Sequence, residues 1–524
     1  MRGSDARRVV VVGAGIAGLA TAALLARDGY LVTVLEGRHE VGGRAGTWAK
    51  DGFVFDTGPS WYLMPEVFDH FYRLLGTSAA QQLDLRRLDP AYRVFFEHES
   101  RALEVSADVE ETLDTFEAMQ PGARHAVRRY LDSAREAYDM AVRRFLYSTF
   151  ESYRPLISRD VLLRLPRLAR LLLQSLDRFV AAHVRDPRLR QVLGYPAVFL
   201  GSEPSMTPSM YHLMSHLDLD VGVLYPMGGF AAVIRSIAEL ARREGVRIQT
   251  GARVTAITVS HGAGRPRASG VTVTAADGRK RQVEADLVVS TADLHHTETE
   301  LLPPELRSYP ERWWSHRVAG PGAILLYLGV RGELPQLTHH NLFFTEDWRG
   351  DFAKIFGNTP SIPRPASLYV SKTSQTDAAA APRGHENLFV LVPVPADPGI
   401  GAGGLDGGGD ERLEQTADAV IRQIAEWARI DDLAERIVVR RSVGPADFAR
   451  DLNAWKGTAL GPAHTLRQSA FLRGSNASSR VEGLYYAGAS TVPGIGLPMC
   501  LISAELVVKR LRGDISTQPL AEPL

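Results

Sequence analysis

The residues best suited to chemistry lie near the start of the chain, where Gly13, Gly15 and Gly18 form a Gly-x-Gly-x-x-Gly pattern. In such a loop the first glycine allows a tight turn, the second lets the backbone approach a pyrophosphate, and the third lets a helix pack closely. Free N–H groups and the dipole at the start of that helix favour the phosphate anion. Glu36 can accept hydrogen bonds from ribose hydroxyls. The pattern predicts dinucleotide binding by Gly13, Gly15, Ile16, Ala17, Gly18 and Glu36.

These residues need a strand, a turn and a helix to hold them, and the flanking sequence predicts all three. The valines at 9–12 are typical of a buried parallel strand. Apolar residues then recur at helical spacing, Asp28-Gly29 ends the helix, and "LVTVLE" resumes as a strand. The uncharged run 9–26 could also be a signal peptide or a membrane helix, but its clustered glycines favour a tight turn. We therefore predict a strand–turn–helix–strand unit.

A second group of glycines extends the predicted site. Gly42-Gly43-Arg44 follows Glu36 after a short loop, and an Asp-Thr-Gly-Pro-Ser turn at 56–60 comes soon after. Nicotinamide enzymes have no general need for such a series, whereas the pyrophosphate, ribityl chain and ring of FAD extend well beyond one loop. The series predicts FAD as the cofactor, with contacts from Gly43, Arg44, Gly58, Pro59 and Ser60.

Composition argues against several other classes of protein. The 524 residues are 45% hydrophobic, and 60 Lys and Arg balance 60 Asp and Glu, so no basic surplus points to nucleic acid. Cys500 is the single cysteine, which excludes an internal disulfide framework and favours a reducing compartment. His212 and His216 have helical spacing but lack the Glu of an HExxH motif, and no metal site is predicted. The histidine pairs at 295–296 and 339–340 lie among polar residues and are predicted to be in loops.

Longer motifs resemble a known family. The stretch from Glu36 to Arg44 resembles the amine-oxidase-like FAD flavoprotein superfamily, and "GLYYAGASTVPGIGLPMCLISAELVVKRL" near the C-terminus is similar to the bacterial-type carotenoid desaturases. Further stretches that agree with this subgroup, and most with its phytoene desaturases, are "FDTGPSWYLMPEVFDHFYRLLG", "LDLDVGVLYPMGGF", "HHNLFFTEDWRGDF", "ENLFVLVPVPA" and "LNAWKGTALGPAHTLRQSAFLR". The resemblance covers nearly the whole chain.

The resemblance implies an α/β fold, in which a Rossmann-type FAD-binding domain is interleaved with an α+β substrate domain. The FAD-binding domain would take residues 1–70, 222–302 and 476–513, the substrate and membrane-facing domain 71–221 and 303–475, and residues 514–524 would form a tail. Further FAD contacts would come from Val254, Gly488, Ala489, Gly496 and Leu497. From composition alone, Asp277-Gly278 is typical of a hairpin turn, and the glycine-rich residues 393–410 are typical of a mobile surface loop.

The resemblance also implies a reaction. A hydrocarbon is desaturated by removing a hydride from one carbon and a proton from its neighbour, and oxidised FAD accepts hydrides. We expect successive desaturation of phytoene to lycopene in carotenoid biosynthesis, with oxygen or a quinone as the terminal electron acceptor. Alternatives are desaturation or oxidation of a related carotenoid, such as an apocarotenoid precursor, and a non-redox flavin- or carotenoid-binding protein. The sequence nominates no catalytic residue.

The implied substrate predicts where the protein works. A molecule of about forty carbons favours lipid over water by ~30 kcal/mol, so the enzyme would meet it at a membrane. Beyond residues 9–26 no segment resembles a membrane span, which predicts a cytoplasmic protein bound peripherally to the membrane. Residues 161–184 read as one amphipathic helix with Pro166 in its first turn, either a core helix or an interfacial one. Its apolar face has Leu165, Leu168, Leu172, Leu176 and Phe179, and its basic face has Arg164, Arg167, Arg170 and Arg178.

Overall fold

The structure is a computed structural model that describes residues 6–152, 161, 163–262, 264–275 and 278–524. Its strands are β1 (Arg8–Val12), β2 (Leu31–Leu35), β3 (Thr47–Lys50), β4 (Phe53–Asp56), β5 (Leu85–Arg87), β6 (Tyr92–Phe96), β7 (Leu103–Val105), β8 (Leu224–Pro226), β9 (Arg247–Gln249), β10 (Ala252–Ser260), β11 (Arg267–Ala275), β12 (Lys280–Glu284), β13 (Leu287–Ser290), β14 (Gly322–Arg331), β15 (His340–Phe344), β16 (Leu368–Ser371), β17 (His385–Val394), β18 (Ile437–Val443) and β19 (Leu484–Tyr486).

The α-helices of four or more residues in the described chain follow the same order. They are α1 (Ile16–Arg27), α2 (Pro65–Leu74), α3 (Ala79–Gln82), α4 (Val109–Met119), α5 (Ala123–Ala141), α6 (Leu165–Leu173), α7 (Leu176–Ala181), α8 (Pro187–Gly194), α9 (Pro196–Phe199), α10 (Gly229–Arg243), α11 (Leu294–Glu300), α12 (Glu311–Trp314), α13 (Trp348–Phe356), α14 (Glu411–Ala428), α15 (Leu433–Arg436), α16 (Pro445–Leu452) and α17 (Leu497–Arg512).

A five-stranded parallel sheet holds the first glycine loop. Its strand order is β19-β13-β1-β2-β9, and the valines of β1 are buried at its centre. Helix α1 follows β1 directly and packs against α10 and α17 in one apolar core. The predicted strand–turn–helix–strand unit and the α/β fold are both confirmed.

A seven-stranded mixed sheet forms the second layer, in the order β18-β14-β17-β16-β15-β6-β7. Strands β6 and β15 pair in parallel, which joins residues 93–96 to residues 341–344. Apolar residues of α14 pack on one face of this sheet. Strands β10 to β12 form a separate antiparallel sheet, and Asp277 of the predicted hairpin turn lies outside the described residues.

Each sheet draws its strands from separate parts of the chain. The parallel sheet takes residues 8–12, 31–35, 247–249, 287–290 and 484–486, and the mixed sheet takes its strands from residues 92–105 and 322–443. This arrangement has the interleaving that the resemblance implies. The exact domain boundaries stay a prediction.

The single helix predicted for residues 161–184 is wrong, because the chain breaks between α6 and α7. Gln174 is extended, Ser175 caps α7 through its side chain, and Leu176 N–H donates to Thr207 O at 2.9 Å. Pro166 does lie in the first turn of α6, as predicted. Leu162 lies outside the described residues.

The glycine-rich residues 393–410 are tied to their neighbours, so the prediction of a mobile loop is wrong. Gly403 N–H donates to Asp447 Oδ2 at 2.7 Å, Gly404 N–H donates to Ser442 Oγ at 2.9 Å, and Leu405 forms a bridge with Arg441. A Cβ on Gly403 would stand 2.1 Å from Ser442 O. The glycines therefore permit close packing against β18.

The loop prediction is wrong for three of the four paired histidines and holds only for His339, which lies in a buried bend before β15. His295 and His296 belong to α11, while His339 and His340 are buried beside and within β15. Local polarity failed as a guide because burial there depends on the pairing of β15 with β6 and β16.

Among the described residues, no helix is long and apolar enough to cross a membrane.

Candidate functional site

The predicted cofactor-binding residues meet in one cavity of about 1380 Å³, at the carboxyl ends of β1, β2, β13 and β19. Ligands of open α/β sheets bind at this edge. The predicted residues that line it are Gly13, Gly15, Ile16, Ala17, Glu36, Gly43, Arg44, Gly58, Pro59, Ser60, Val254, Gly488, Ala489, Gly496 and Leu497. Gly18 is the predicted residue that does not line it.

Gly18 allows α1 to pack closely against the glycine loop, whereas Gly15 leaves space for a ligand to approach the backbone. A Cβ on Gly18 would stand 2.0 Å from Gly13 O and 2.7 Å from Thr291 Oγ1. A Cβ on Gly15 would meet nothing closer than Gly42 O at 3.9 Å. Helix α1 starts at Ile16, and no side chain caps it, so the N–H groups of its first turn stay available to an anion.

The Glu36 carboxylate is fixed at the end of β2. Its Oε2 accepts from Ala14 N–H at 2.7 Å, and its Oε1 accepts from Arg38 N–H at 2.8 Å. Each carboxylate oxygen has a further lone pair, so Glu36 can still accept from the ribose hydroxyls of a dinucleotide. The same contacts tie the glycine loop to β2.

Arg44 brings an unsatisfied donor to the cavity. Its Nε is buried and has no hydrogen-bond partner among the described residues. A Cβ on Gly58 would stand 2.4 Å from Arg44 O, so the 56–60 turn packs directly on the Arg44 backbone. A buried N–H donor without an acceptor is costly, and an oxygen-rich ligand such as FAD would satisfy the Arg44 Nε–H. The donors of α1, the Glu36 acceptor and Arg44 together fit FAD.

The C-terminal glycine loop completes this part of the cavity. Gly488 N–H donates to Ser503 Oγ at 3.0 Å, and Arg473 Nη2 donates to Ala489 O at 2.6 Å. Helix α17 begins at Leu497 after Gly496, whose φ is 118°, and no side chain caps it. Cys500 packs inside α17, and burial raises the pKa of its thiol to about 12, so it is no nucleophile.

Aromatic side chains line another part of the cavity. Trp61 stacks on His340 with ring centres 4.4 Å apart, and its ring lies 5.4 Å from that of Phe199. The rings of Tyr195 and Phe199 are 5.4 Å apart, and Phe344 lies 5.5 Å from Trp348. The sequence nominated none of these side chains as functional, since they come from distant segments that only the fold brings together.

Burial disfavours the charged forms of the titratable groups behind these rings. Burial raises the pKa of Asp218 to about 7, although Tyr195 OH and Tyr92 OH both donate to its Oδ2, at 2.7 and 3.2 Å. Burial holds the pKa of His340 well below its usual range, so its ring is neutral, and its Nδ1 lies 2.7 Å from Tyr369 OH. The aromatic walls of this part of the cavity suit an apolar ligand.

Some of the residues that line the cavity are exposed to solvent, so the cavity is open to the surface there. Four of these exposed lining residues are apolar, and we call them the apolar opening: Leu172, Leu466, Phe471 and Leu472, which are 38%, 39%, 54% and 42% exposed. On α6, which includes Leu172, and just before it, the chain also exposes Leu163, Leu165 and Leu173. We call these three leucines the leucine rim. A second place, at Leu405 and Arg450, is more polar.

The family model described as flavin containing amine oxidoreductase matches residues 16–512. A carotenoid 3,4-desaturase from Haloarcula japonica is 40% identical over 508 residues, which cover 97% of this chain and 98% of that protein. A zeta-carotene-forming phytoene desaturase from Myxococcus xanthus is 35% identical and covers 97% and 94% of the two chains.

Solved structures share the fold at low sequence identity. An oxidoreductase from Methanosarcina mazei superimposes with a TM-score of 0.60 at 17% identity, covering 96% of this chain and all of that one. Putrescine oxidase bound to putrescine gives a TM-score of 0.59 at 18% identity, covering 97% and 99% of the two chains.

Proposed function

Because the chain belongs to the family of flavin-containing amine oxidoreductases and is an FAD-dependent oxidoreductase, we propose that it desaturates a carotenoid hydrocarbon. The observation that carries the proposal is the aromatic part of the cavity beside the cofactor-binding residues, behind which the buried His340 ring is neutral. Relatives at 40% and 35% identity that bear the names of carotenoid desaturases support the same substrate class.

The protein's task in this reaction is to hold two large molecules against each other. Bound FAD supplies the hydride acceptor. The N–H groups at the start of α1 would bind the pyrophosphate, Glu36 the ribose, and Arg44 an oxygen atom of the cofactor. The second glycine loop would approach the ribityl chain and ring through Gly488, Ala489, Gly496 and Leu497.

The aromatic walls would orient the substrate and keep water away from it. Loss of a hydride next to a double bond leaves an allylic cation on the substrate, and aromatic faces such as those of Trp61 and Phe199 stabilise positive charge. The adjacent proton of such a cation is strongly acidic, so a strong base is unnecessary. No catalytic base is assigned.

The specific reaction we propose is successive desaturation of phytoene, yielding lycopene, with oxygen or a quinone as terminal electron acceptor. A second candidate is desaturation of a related carotenoid near its end, which the 40% identity to a carotenoid 3,4-desaturase favours. Membership of the family of flavin-containing amine oxidoreductases argues against the non-redox flavin- or carotenoid-binding protein that the sequence left as an alternative.

We further propose that the enzyme works on the cytoplasmic side of a membrane, bound to the lipid surface. The apolar opening of the cavity and the leucine rim beside it support this proposal, because a water-insoluble substrate must pass from lipid into the cavity. Residues exposed at this opening would enter the acyl region of the bilayer.

The test uses purified holoenzyme under anaerobic conditions with phytoene or lycopene in liposomes. We expect the flavin absorbance to bleach as new conjugated double bonds appear, and we expect no NADH to form in proportion to product. Expression in cells that accumulate phytoene, and separately in cells that accumulate lycopene, followed by pigment chromatography, distinguishes the two candidate reactions. Tight carotenoid binding without bleaching would contradict the enzymatic proposal.

A further inference from the structure

Arg473 is a buried cation that has no carboxylate partner among the described residues. Its residue is only 6% exposed. The guanidinium donates to backbone carbonyl oxygens alone: Nε and Nη2 donate to Ala489 O at 3.2 and 2.6 Å, Nη1 to Gln468 O at 3.2 Å, and Nη2 to Pro462 O at 3.2 Å. These bonds satisfy its N–H groups but leave its positive charge without a counter-charge.

The side chain keeps this charge at neutral pH. Burial lowers the pKa of Arg473 to about 10, and Arg317 acts in the same direction, whereas Tyr211 and Cys500 oppose it. The pKa thus stays well above 7. A buried charge without a counter-charge is strongly unfavourable, and a neighbouring ligand that gains negative charge would relieve it.

The charge of Arg473 reaches the part of the cavity that holds the second glycine loop. Ala489, whose carbonyl accepts from both Nε and Nη2, lines the cavity beside Gly488. Cys500 lines it too, and although burial raises the pKa of its thiol, the charges of Arg44 and Arg473 both act to lower it. A ligand atom in contact with Ala489 would lie within about 10 Å of the Arg473 guanidinium.

Reduction puts negative charge on the cofactor. A hydride consists of one proton and two electrons, so a neutral flavin ring that accepts it becomes an anion, and the substrate that loses it becomes a cation. We propose that Arg473 stabilises this flavin anion electrostatically and thereby raises the redox potential of the bound FAD. The inference rests on the FAD cofactor and not on the proposed carotenoid substrate. A flavin of higher potential is a stronger hydride acceptor, which suits a substrate without a polar group.

The test measures the midpoint potential of the flavin in purified holoenzyme, without carotenoid, by anaerobic equilibration with a reference dye. Arg473→Gln removes the charge, whereas Arg473→Lys keeps the charge but loses the fork of hydrogen bonds. At an effective dielectric constant of about 20, a unit charge roughly 10 Å away favours an anion by about tenfold or more.

We therefore expect Arg473→Gln to bind reduced FAD, relative to oxidised FAD, at least about tenfold less tightly than the wild type does. A tenfold change lowers the midpoint potential by about 30 mV for two electrons. Arg473→Lys should stay within about threefold of the wild type, because the charge is what acts on the flavin. A purely structural role would make the two variants alike, since neither keeps the guanidinium fork.

Arg510→Gln is the matched control. Arg510 is also largely buried and also donates to a backbone carbonyl, Thr149 O, at 2.6 Å. Unlike Arg473 it has a carboxylate partner, with Nη1 2.9 Å from Glu151 Oε1, and neither Thr149 nor Glu151 lines the cavity. This variant should keep the wild-type potential.

An unchanged potential in Arg473→Gln would overturn the inference, as would an equal fall in the Lys variant or in the Arg510 control. If the Gln variant loses its FAD, the wild type alone decides. Between pH 6 and 8 its potential should fall about 30 mV per pH unit, the slope for one proton per two electrons.

That slope reports on the flavin because the nearby protein groups do not titrate in this range. Burial and the charge of Arg473 hold the pKa of His464 well below its usual range, and burial raises the pKa of the Cys500 thiol to about 12. A slope of twice this size would show that the reduced flavin is neutral and would overturn the inference. None of these measurements needs a substrate, so failure of the proposed desaturation would leave their outcome unchanged.

Discussion

Replacing the leucine rim with serine should detach the enzyme from membranes. Leu163, Leu165 and Leu173 are 74%, 53% and 77% exposed, so together they present about as much apolar surface as two fully exposed leucines. None of the three lines the cavity. Exposed substitutions of this kind usually change the free energy of unfolding by about 0.5 kcal/mol or less, so the triple variant should fold.

The expected loss of binding follows from the exposed surface. Burying one leucine side chain contributes about 1.5–3 kcal/mol, so transferring this rim into the acyl region contributes about 3–6 kcal/mol. At 1.4 kcal/mol per decade, the serine variant should bind liposomes at least about a hundredfold more weakly. This apolar contribution should hardly change with salt.

Co-sedimentation with anionic liposomes at low and moderate salt measures the effect. The matched control replaces Leu31, Val438 and Ile515 with serine, since these residues are also about half exposed but lie elsewhere and do not line the cavity. Wild-type binding by the rim variant, or an equal loss in the control, would refute the assignment of the membrane surface.

The arginines of α6 provide an independent comparison. Arg167 is already paired with Glu136, and Arg170 Nε donates to Gln174 Oε1 at 3.3 Å. At about 1 kcal/mol per basic residue near an anionic surface, replacing Arg164, Arg167 and Arg170 with Gln should weaken binding by an order of magnitude or more at low salt. This loss should shrink at moderate salt, unlike that of the leucine variant.

Two further predictions concern the cofactor and the C-terminal region. Glu36→Arg should yield folded but colourless protein, because a cation replaces the acceptor that faces the cofactor and holds Ala14 N–H; full flavin occupancy would show that the placement of Glu36 is wrong. Burial opposes protonation of His70, but hydrogen bonds and charges from Glu505 and Glu522 outweigh it and raise its pKa. Protonated His70 therefore stabilises the fold below a pH of about 6.5, and this contribution is lost as the pH rises through the raised pKa. The difference in thermal midpoint between wild type and His70→Gln should be larger at pH 6 than at pH 9, and a difference that does not change with pH would contradict this reasoning.

The cofactor-binding part of the fold could be predicted from sequence because its signals are local. The valines of β1, the glycines of the first loop and Glu36 lie within a short stretch, and each has one structural reason for its position. Residues 484–497 have the same local order of elements: a strand, a glycine loop and the start of a helix.

The substrate part could not be predicted because its contacts are distant in sequence. Trp61 stacks on His340 although the two residues are far apart in sequence, and nothing near His340 in sequence signals that it is buried. The break at Gln174 likewise depends on Leu176 bonding to Thr207, a contact that leucine periodicity does not report.

The order of strands in the parallel sheet has a consequence for biosynthesis. Strand β1 is made almost at once, but its neighbour β13 comes from residues 287–290, and β19 from residues 484–486. At roughly 5–20 residues per second, the ribosome needs tens of seconds to deliver this last strand and the glycine loop behind it. Until then the nascent chain has the first glycine loop but lacks residues 484–497, which would enclose the flavin from the other side. We therefore expect stable FAD binding only after translation ends. A chain truncated before residue 484 should lack bound FAD and its yellow colour.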